Sequence, residues 1–379
     1  MAKRRRRSDH DDEQLHRRTE KSSPPPPAPR RRLHILANDC PQEFSVYKLD
    51  VDDFDSEDLM DSTPRRLRRH RLVVRLAGGS SQAFVAVGSM IFALHRSSSE
   101  DGLSVVYDTG TRTVSAAPPF QAPKTRAAFW AAGRAIYALD CIPPLRRSSG
   151  GGGDGGDSAA PCCFERLVVG RAPPRHGEWR WEAMPAPPFE PGNVVSHAAH
   201  PDAGATVFVS VYNAGTFSFD GERMAWARRG GWLLPFDGEA FYVRGLRAWV
   251  GICLEDRRRV AACQVAELEG CGGVGKEEEE PAYRKSTKEL LRRRNGERHV
   301  KANLTYMGDA EFCVQQTFMR EVDDDDHDTA SSVLVGPMLL RVVTFRVAYS
   351  GDGELCAVDR RARIYQLPYS SESKPFAFF

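Results

Sequence analysis

No stretch of this chain is apolar for long enough to cross a bilayer. The longest apolar run, Ala83–Leu94, falls short of the roughly 20 residues that a spanning helix needs. The basic start Met1-Ala2-Lys3-Arg4-Arg5-Arg6-Arg7 has no apolar segment after it, so it is not a secretory signal. Cysteine is present without the spacing that gives it chemistry. There are 9 cysteines, an odd number, and none forms a Cys-x-x-Cys pair. That excludes zinc ribbons and thioredoxin-type redox motifs, and scattered cysteines suit a reducing compartment. No Gly-x-Ser-x-Gly elbow occurs, which removes the hydrolase nucleophile that such a turn presents. Helical periodicity is scarce, and Lys285–Arg294 is the one fair helix candidate. A soluble, intracellular protein is expected.

What is present suits many short strands. The chain has 379 residues and is 41% hydrophobic, with Gly 32 and Pro 25, enough for a large core and many tight turns. Its formal net charge of +2 hides strong segregation. Residues 1–32 are very basic, whereas Glu277–Glu280 and Asp323–Asp326 are acidic runs. Residues 1–32 lack apolar periodicity and end in a Pro-rich, Arg-rich segment, so they are expected to be a disordered tail. A single domain is expected over residues 33–370. Residues 371–379 are expected to be a C-terminal tail or a ring-closing strand.

One segment echoes another. Ala83–Leu94 returns 45 residues later as Ala128–Leu139, with Ala83/Ala128, Phe84/Phe129, Ala86/Ala131, Gly88/Gly133, Ile91/Ile136, Ala93/Ala138 and Leu94/Leu139 identical. A period of this length in strand-type residues points to an all-β propeller built blade by blade. Pro118-Pro119-Phe120 and Pro187-Pro188-Phe189 close two successive units, and Leu234-Pro235-Phe236 varies the same ending. Looser units follow near Thr206, Ala248 and Glu311. About six blades of up to four strands result. The first unit reads one strand short, and Lys374–Phe379 is the expected source of the missing strand.

The series Phe44–Asp52, Val106–Arg112, His200-Pro201-Asp202, Thr216–Asp220, Gly231–Phe236, Ala248–Gly251 and Arg360–Tyr365 resembles, in combination and order, a plant family expanded in grasses, the domain-of-unknown-function 1668 family. The resemblance covers roughly residues 33–368. It implies a kelch-like propeller with no established activity, and it supplies no catalytic or binding residues. The stretch Gly150–Gly156 and the acidic loops look like insertions of this member.

Candidate chemistry is thin. Gly270–Lys276 has the spacing of a phosphate-binding loop, but Glu277–Glu280 stand where Ser or Thr should hold magnesium, and they would repel a triphosphate. A flexible charged loop is the better reading. His197 and His200 are three apart, with Asp202 close, yet His200-Pro201-Asp202 also reads as a turn between strands. No ordered Tyr, His and Cys set marks a kelch-type copper oxidase. Cys162-Cys163 is a vicinal pair better suited to packing than to redox work. No catalytic, cofactor or metal residues are therefore assigned.

The basic tail is the clearest functional element. Lys3, Arg4, Arg5, Arg6 and Arg7 form a cluster that reads as a nuclear import signal for an acidic receptor groove. The tail has no aromatic residues for stacking bases, so a nucleic-acid partner is not expected. The expected function is a monomeric, non-catalytic protein-interaction scaffold in the nucleus and/or cytoplasm. The alternatives are a substrate-recruiting adaptor in ubiquitin ligation and an enzyme with a site at the propeller axis.

Overall fold

The computed structural model describes residues 31–40, 43–56, 63–67, 71–77, 82–96, 103–141, 163–170, 179–201, 205–266, 279–291, 296–321, 335–367 and 376–378. Among them every regular element is a strand or a single 3-10 turn. The first strands are β1 (Arg32–Cys40), β2 (Glu43–Asp50), β3 (Asp55–Ser56), β4 (Arg65–Arg66) and β5 (Leu72–Ala77). The echo becomes β6 (Gln82–Val87), β7 (Met90–His95), β8 (Val105–Asp108) and β9 (Thr113–Ala116), followed by β10 (Ala127–Ala132), β11 (Ala135–Asp140), β12 (Phe164–Val168) and β13 (Trp181–Ala183). Next come β14 (Val194–Ala199), β15 (Thr206–Val211), β16 (Gly215–Asp220) and β17 (Ala225–Gly230), then β18 (Phe236–Val243), β19 (Ala248–Cys253), β20 (Val260–Gln264) and β21 (Tyr283–Lys285). The long strands β22 (Glu297–Gly308), β23 (Glu311–Glu321), β24 (Val335–Tyr349) and β25 (Leu355–Gln366) precede the short β26 (Phe376–Phe378).

The strands assemble as six antiparallel units of four. Three are separate four-stranded sheets, ordered β26-β1-β2-β5, β6-β7-β8-β9 and β10-β11-β12-β13. Units β14–β17 and β18–β21 merge into one sheet because their first strands pair in parallel, Ser196 opposite Gly238 and Ala198 opposite Ala240. The unit β22–β25 gains β3 and β4 at its outer strand. The first unit takes its fourth strand from the far end of the chain, with Leu36 opposite Phe376.

The echo is a repeated hairpin. Val87 pairs with Met90 and Ala132 with Ala135, leaving two-residue turns that begin at Gly88 and Gly133. Both glycines have φ of 58°. A two-residue turn that matches the strand twist needs this left-handed value, which glycine adopts freely.

Two readings of the sequence need correction. Lys285–Arg294 is not a helix over its described residues. Lys285 ends β21, and the amides of Leu290 and Leu291 donate to the Arg258 carbonyl rather than to a preceding turn. Both leucines are buried between the last two units, so tertiary packing overrides the local propensity. Arg31 and Arg32 belong to the fold rather than to the tail. Arg32 opens β1, and the Arg31 guanidinium pairs with Asp52 and Glu311.

The core lies between units. Phe84, Ile91 and Tyr107 pack on Leu36, Val46 and Leu76. Phe92, Leu94 and Phe120 pack on Ile136, Leu167 and Trp181. Trp130, Tyr137 and Phe164 meet Val207, Val209 and Phe219. Phe208 meets Phe236 and Trp249, and Val250 and Val260 meet Phe312, Val343 and Phe345. Met338, Leu340 and Tyr365 then pack on Leu33, Ile35 and Leu49 of the first unit. Rings dominate these contacts. Burying one aromatic side chain contributes about 4–6 kcal/mol on apolar area alone.

A repeated polar lock fixes several units against their neighbours. Trp181 Nε1–H donates to the Pro118 carbonyl at 3.1 Å, and Trp226 Nε1–H donates to the Pro185 carbonyl at 3.0 Å. Phe120 packs on Trp181 and Phe189 packs edge-on against Trp226. The Pro-Pro-Phe endings are therefore docking segments for the next unit's outer strand. Beneath the first of them lies a fully buried ion pair, Lys124 with Glu165. Glu165 also accepts from the amides of Gln121 at 2.9 Å and Ala122 at 3.1 Å.

Removing one partner of such a pair leaves a buried charge uncompensated, at a cost of about 3–5 kcal/mol. Lys124→Met is expected to lower unfolding free energy by about that amount. The double variant Lys124→Met/Glu165→Leu is expected to recover more than half of the loss. Chemical denaturation of the three proteins tests this, and equal stability of Lys124→Met and the native chain would refute it.

Candidate functional site

A cavity of about 590 Å³ is lined by residues of β6, β10, β14, β18 and β22, the first strands of five units. Its polar lining includes His197, Asp237, Glu239 and Lys301, and its apolar lining includes Phe84, Phe129, Phe241 and Tyr306. This size falls in the range of small-molecule pockets, about 300–1,000 Å³.

Backbone irregularity places Glu239. Along β18, Phe236 pairs with Cys253 and Ala240 with Gly251, so residues 237–239 bulge out of the ladder with β19. Gly238 sits in the bulge at φ 86°, with nothing within 4 Å of where a Cβ would stand. Its glycine is needed for the backbone, not for space. Released from β19, Glu239 stands opposite His197 of β14, on strands about 4.8 Å apart.

Both groups are shifted towards their neutral forms by their surroundings. Glu239 is an exposed residue on the cavity wall, yet partial loss of water beside the surrounding protein pushes its carboxyl from 4.5 up to about 7. The same loss of water lowers His197 from 6.5 to about 4. The His197 ring lies 5.6 Å from that of Trp130, and its Nε2 is buried without a hydrogen-bond partner, as is Trp130 Nε1. Asp237 is engaged by Arg257 at 2.9 Å. The arrangement offers unsatisfied polar atoms and one carboxyl that changes charge near neutrality, in a partly aromatic enclosure.

A model of the family described as "Protein of unknown function (DUF1668)" matches residues 7–365. The chain belongs to that family. No curated protein matches it. Among solved structures, that of apo AztD from Citrobacter koseri is similar at 11% identity over 91% of this chain and 97% of that one, with a TM-score of 0.34. That likeness is too slight to carry an argument.

The structure separates several residues that the sequence of this DUF1668 member groups together. His197 faces Trp130, whereas His200 packs against Phe208 and Trp249. Residues three apart on an extended chain point to opposite faces, so the two histidines do not share a metal. Among the described residues no group of three or more His, Cys, Asp or Glu could hold a metal. Cys253, Cys263 and Cys313 are buried free thiols, and burial pushes Cys263 and Cys313 up to about 12. They pack as small apolar groups. Asn303 lines the cavity on β22. Lys3–Arg7, Cys162, Gly150–Gly156, Gly270–Lys276 and Asp323–Asp326 lie outside the described residues. No helix of the described residues is long and apolar enough to cross a membrane. Sequence reasoning passed over Glu239, because Asp237-Gly238-Glu239 reads as a turn between units.

Glu239 holds its proton more tightly when folded than when unfolded. Its contribution to stability is therefore complete below about pH 4.5 and is lost as pH rises through about 7. His197 works oppositely, contributing above 6.5 and losing its contribution as pH falls towards 4. Glutamate-selective carbon NMR is expected to show one carboxyl titrating near 7, absent in Glu239→Gln. The stability difference between native and Glu239→Gln proteins is expected to shift against the native chain from pH 4.5 to 7.5. A midpoint near 4.5 would overturn both expectations.

Proposed function

We propose that the six units close into a kelch-like β-propeller that acts as a non-catalytic scaffold for binding another protein. The cyclic order of the cores carries this reading. Six core clusters of the described residues each join one unit to the next, and the sixth unit packs back onto the first. The first strands also pack in sequence, β6 on β10, β10 on β14, β14 beside β18, β18 on β22 and β22 on β26. Pairing of β26 with β1 supports a ring held shut by the two ends of the chain. A closed ring is a rigid platform without long free sheet edges.

Function then falls to the connections. Residues 97–102, 142–162 and 322–334 each separate the second and third strands of a unit. In an up-and-down blade those connections leave from the same face of the ring. Replacing 142–162 and 322–334 by short turns is expected to abolish capture of a stable partner in pull-downs, while the melting transition is retained. Undiminished capture, or no partner for the intact protein, would overturn the reading.

The tail cluster Lys3–Arg7 is proposed to direct nuclear import. A chain lacking residues 1–30 is expected to lose nuclear enrichment in cells, and an unchanged distribution would refute import.

The juxtaposition of His197 and Glu239 favours a second reading, a small-molecule or catalytic site at the axis. A ligand retained by the native protein and lost from Glu239→Gln, detected by mass spectrometry after gentle purification, is the outcome that supports it.

A further inference from the structure

A second cavity, of about 560 Å³, opens on the opposite edge of the sixth unit, where the β24–β25 hairpin meets the start of the first unit. Five cationic side chains reach it against two carboxylates, an excess of three positive charges. This groove lies outside the connections on which the scaffold reading turns, so the inference goes beyond that reading.

The cations differ in how far they are committed. Arg31 is held by Asp52, with Nε donating at 3.0 Å, and by Glu311. Arg360 is held by the Glu289 and Leu290 carbonyls, each accepting at 2.9 Å. Arg346 is only loosely held, at 3.7 Å from both Glu311 and Asp359. Those distances exceed the hydrogen-bond range of about 2.7–3.2 Å. Lys288 and Arg361 are exposed, and neither has an ion pair among the described residues.

A backbone break concentrates the charge. In a regular strand, residues 359 and 361 would face one side and 360 the other. Here Thr344 pairs with Arg361 and Arg346 with Val358, so Asp359 and Arg360 together oppose Phe345. Asp359 takes φ 53° to make this bulge. Asp359, Arg360 and Arg361 are all residues of the groove wall. The bulge pins Arg360 to the backbone as a support and leaves Arg361 presented.

We propose that this groove binds a phosphoryl group carried on a segment of a partner protein. A phosphoryl group brings about −1.5 to −2 charges and three acceptor oxygens. Lys288 and Arg361 supply free donors, the Thr344 hydroxyl lines the same groove, and Arg346 can exchange two stretched ion pairs for direct hydrogen bonds. When Arg346 turns to the phosphoryl group, Glu311 stays paired with Arg31, and Asp359, 67% exposed, is left to water.

The test titrates the full-length protein with a fluorescein-labelled Gly/Ala hexapeptide bearing one phosphoserine, followed by anisotropy. Binding is expected, tightening as salt is lowered, with none for the unphosphorylated peptide. Lys288→Ala and Arg361→Ala are each expected to weaken it about tenfold, since each removes a hydrogen bond to a charged group. Lys288→Arg is expected to retain it. Both side chains are exposed, so the variants should melt with the native protein. Failure of the phosphopeptide to bind would overturn the proposal, as would alanine variants that bind like the native chain. A glutamate peptide binding equally well would assign the groove to acidic segments instead. Displacement by an equal concentration of inorganic phosphate would assign it to the free ion.

Discussion

A four-stranded sheet of this chain has two apolar faces and no means of covering either by itself. Every unit is therefore dependent on its neighbours. The largest buried side chains, Trp130, Trp181 and Trp249, stand between units rather than within one. Indole N–H groups at these interfaces need acceptors, and backbone carbonyls of adjoining units supply several: Pro118 for Trp181, Pro185 for Trp226, Ala199 for Trp249. Apolar burial provides the driving force, and these directional bonds set the orientation. The Lys124–Glu165 pair belongs to the same logic. Its net contribution to stability is small by comparison with an apolar pair, but a misplaced neighbour would leave it unpaired.

Once the units are locked, chemistry can appear only where the ladders are broken. Both cavities sit beside a bulge with a residue at positive φ, Gly238 in one and Asp359 in the other. Regular pairing would have hidden Glu239 in a ladder and turned Arg360 away from Arg361. Broken pairing re-aims them. The two sites then differ by electrostatics. One brings together His197 and Glu239, both shifted towards their neutral forms by loss of water. The other is a groove in which five cationic side chains face two carboxylates.

The hairpins were legible because their signal is local. Gly88 and Gly133 sit at fixed positions between alternating apolar residues, and a turn that short has few solutions. Aromatic residues could be read as core for the same reason. Glu239 and the Arg360–Arg361 pair were not legible as sites, since a bulge is a relation between two strands and leaves little trace in either. Strand β21 was missed because Tyr283–Lys285 is three residues long and carries no periodicity. The sequence suggested a helix over Lys285–Arg294, because Lys, Leu and Arg favour one locally; contacts of Leu290 and Leu291 with a distant sheet prevailed.

The sequence by itself determined an all-β chain, the positions of most hairpins, membership in one family and the segregation of charge. Those properties depend on neighbours within a dozen or so residues. Only the tertiary structure decided which units merge, as those of β14 and β18 do by parallel pairing, and which polar residues meet. His197 and Glu239 are 42 positions apart, and Lys288 and Arg361 are 73 apart. Such pairs come together through the packing of whole sheets, and no local pattern along the chain encodes a distance between sheets.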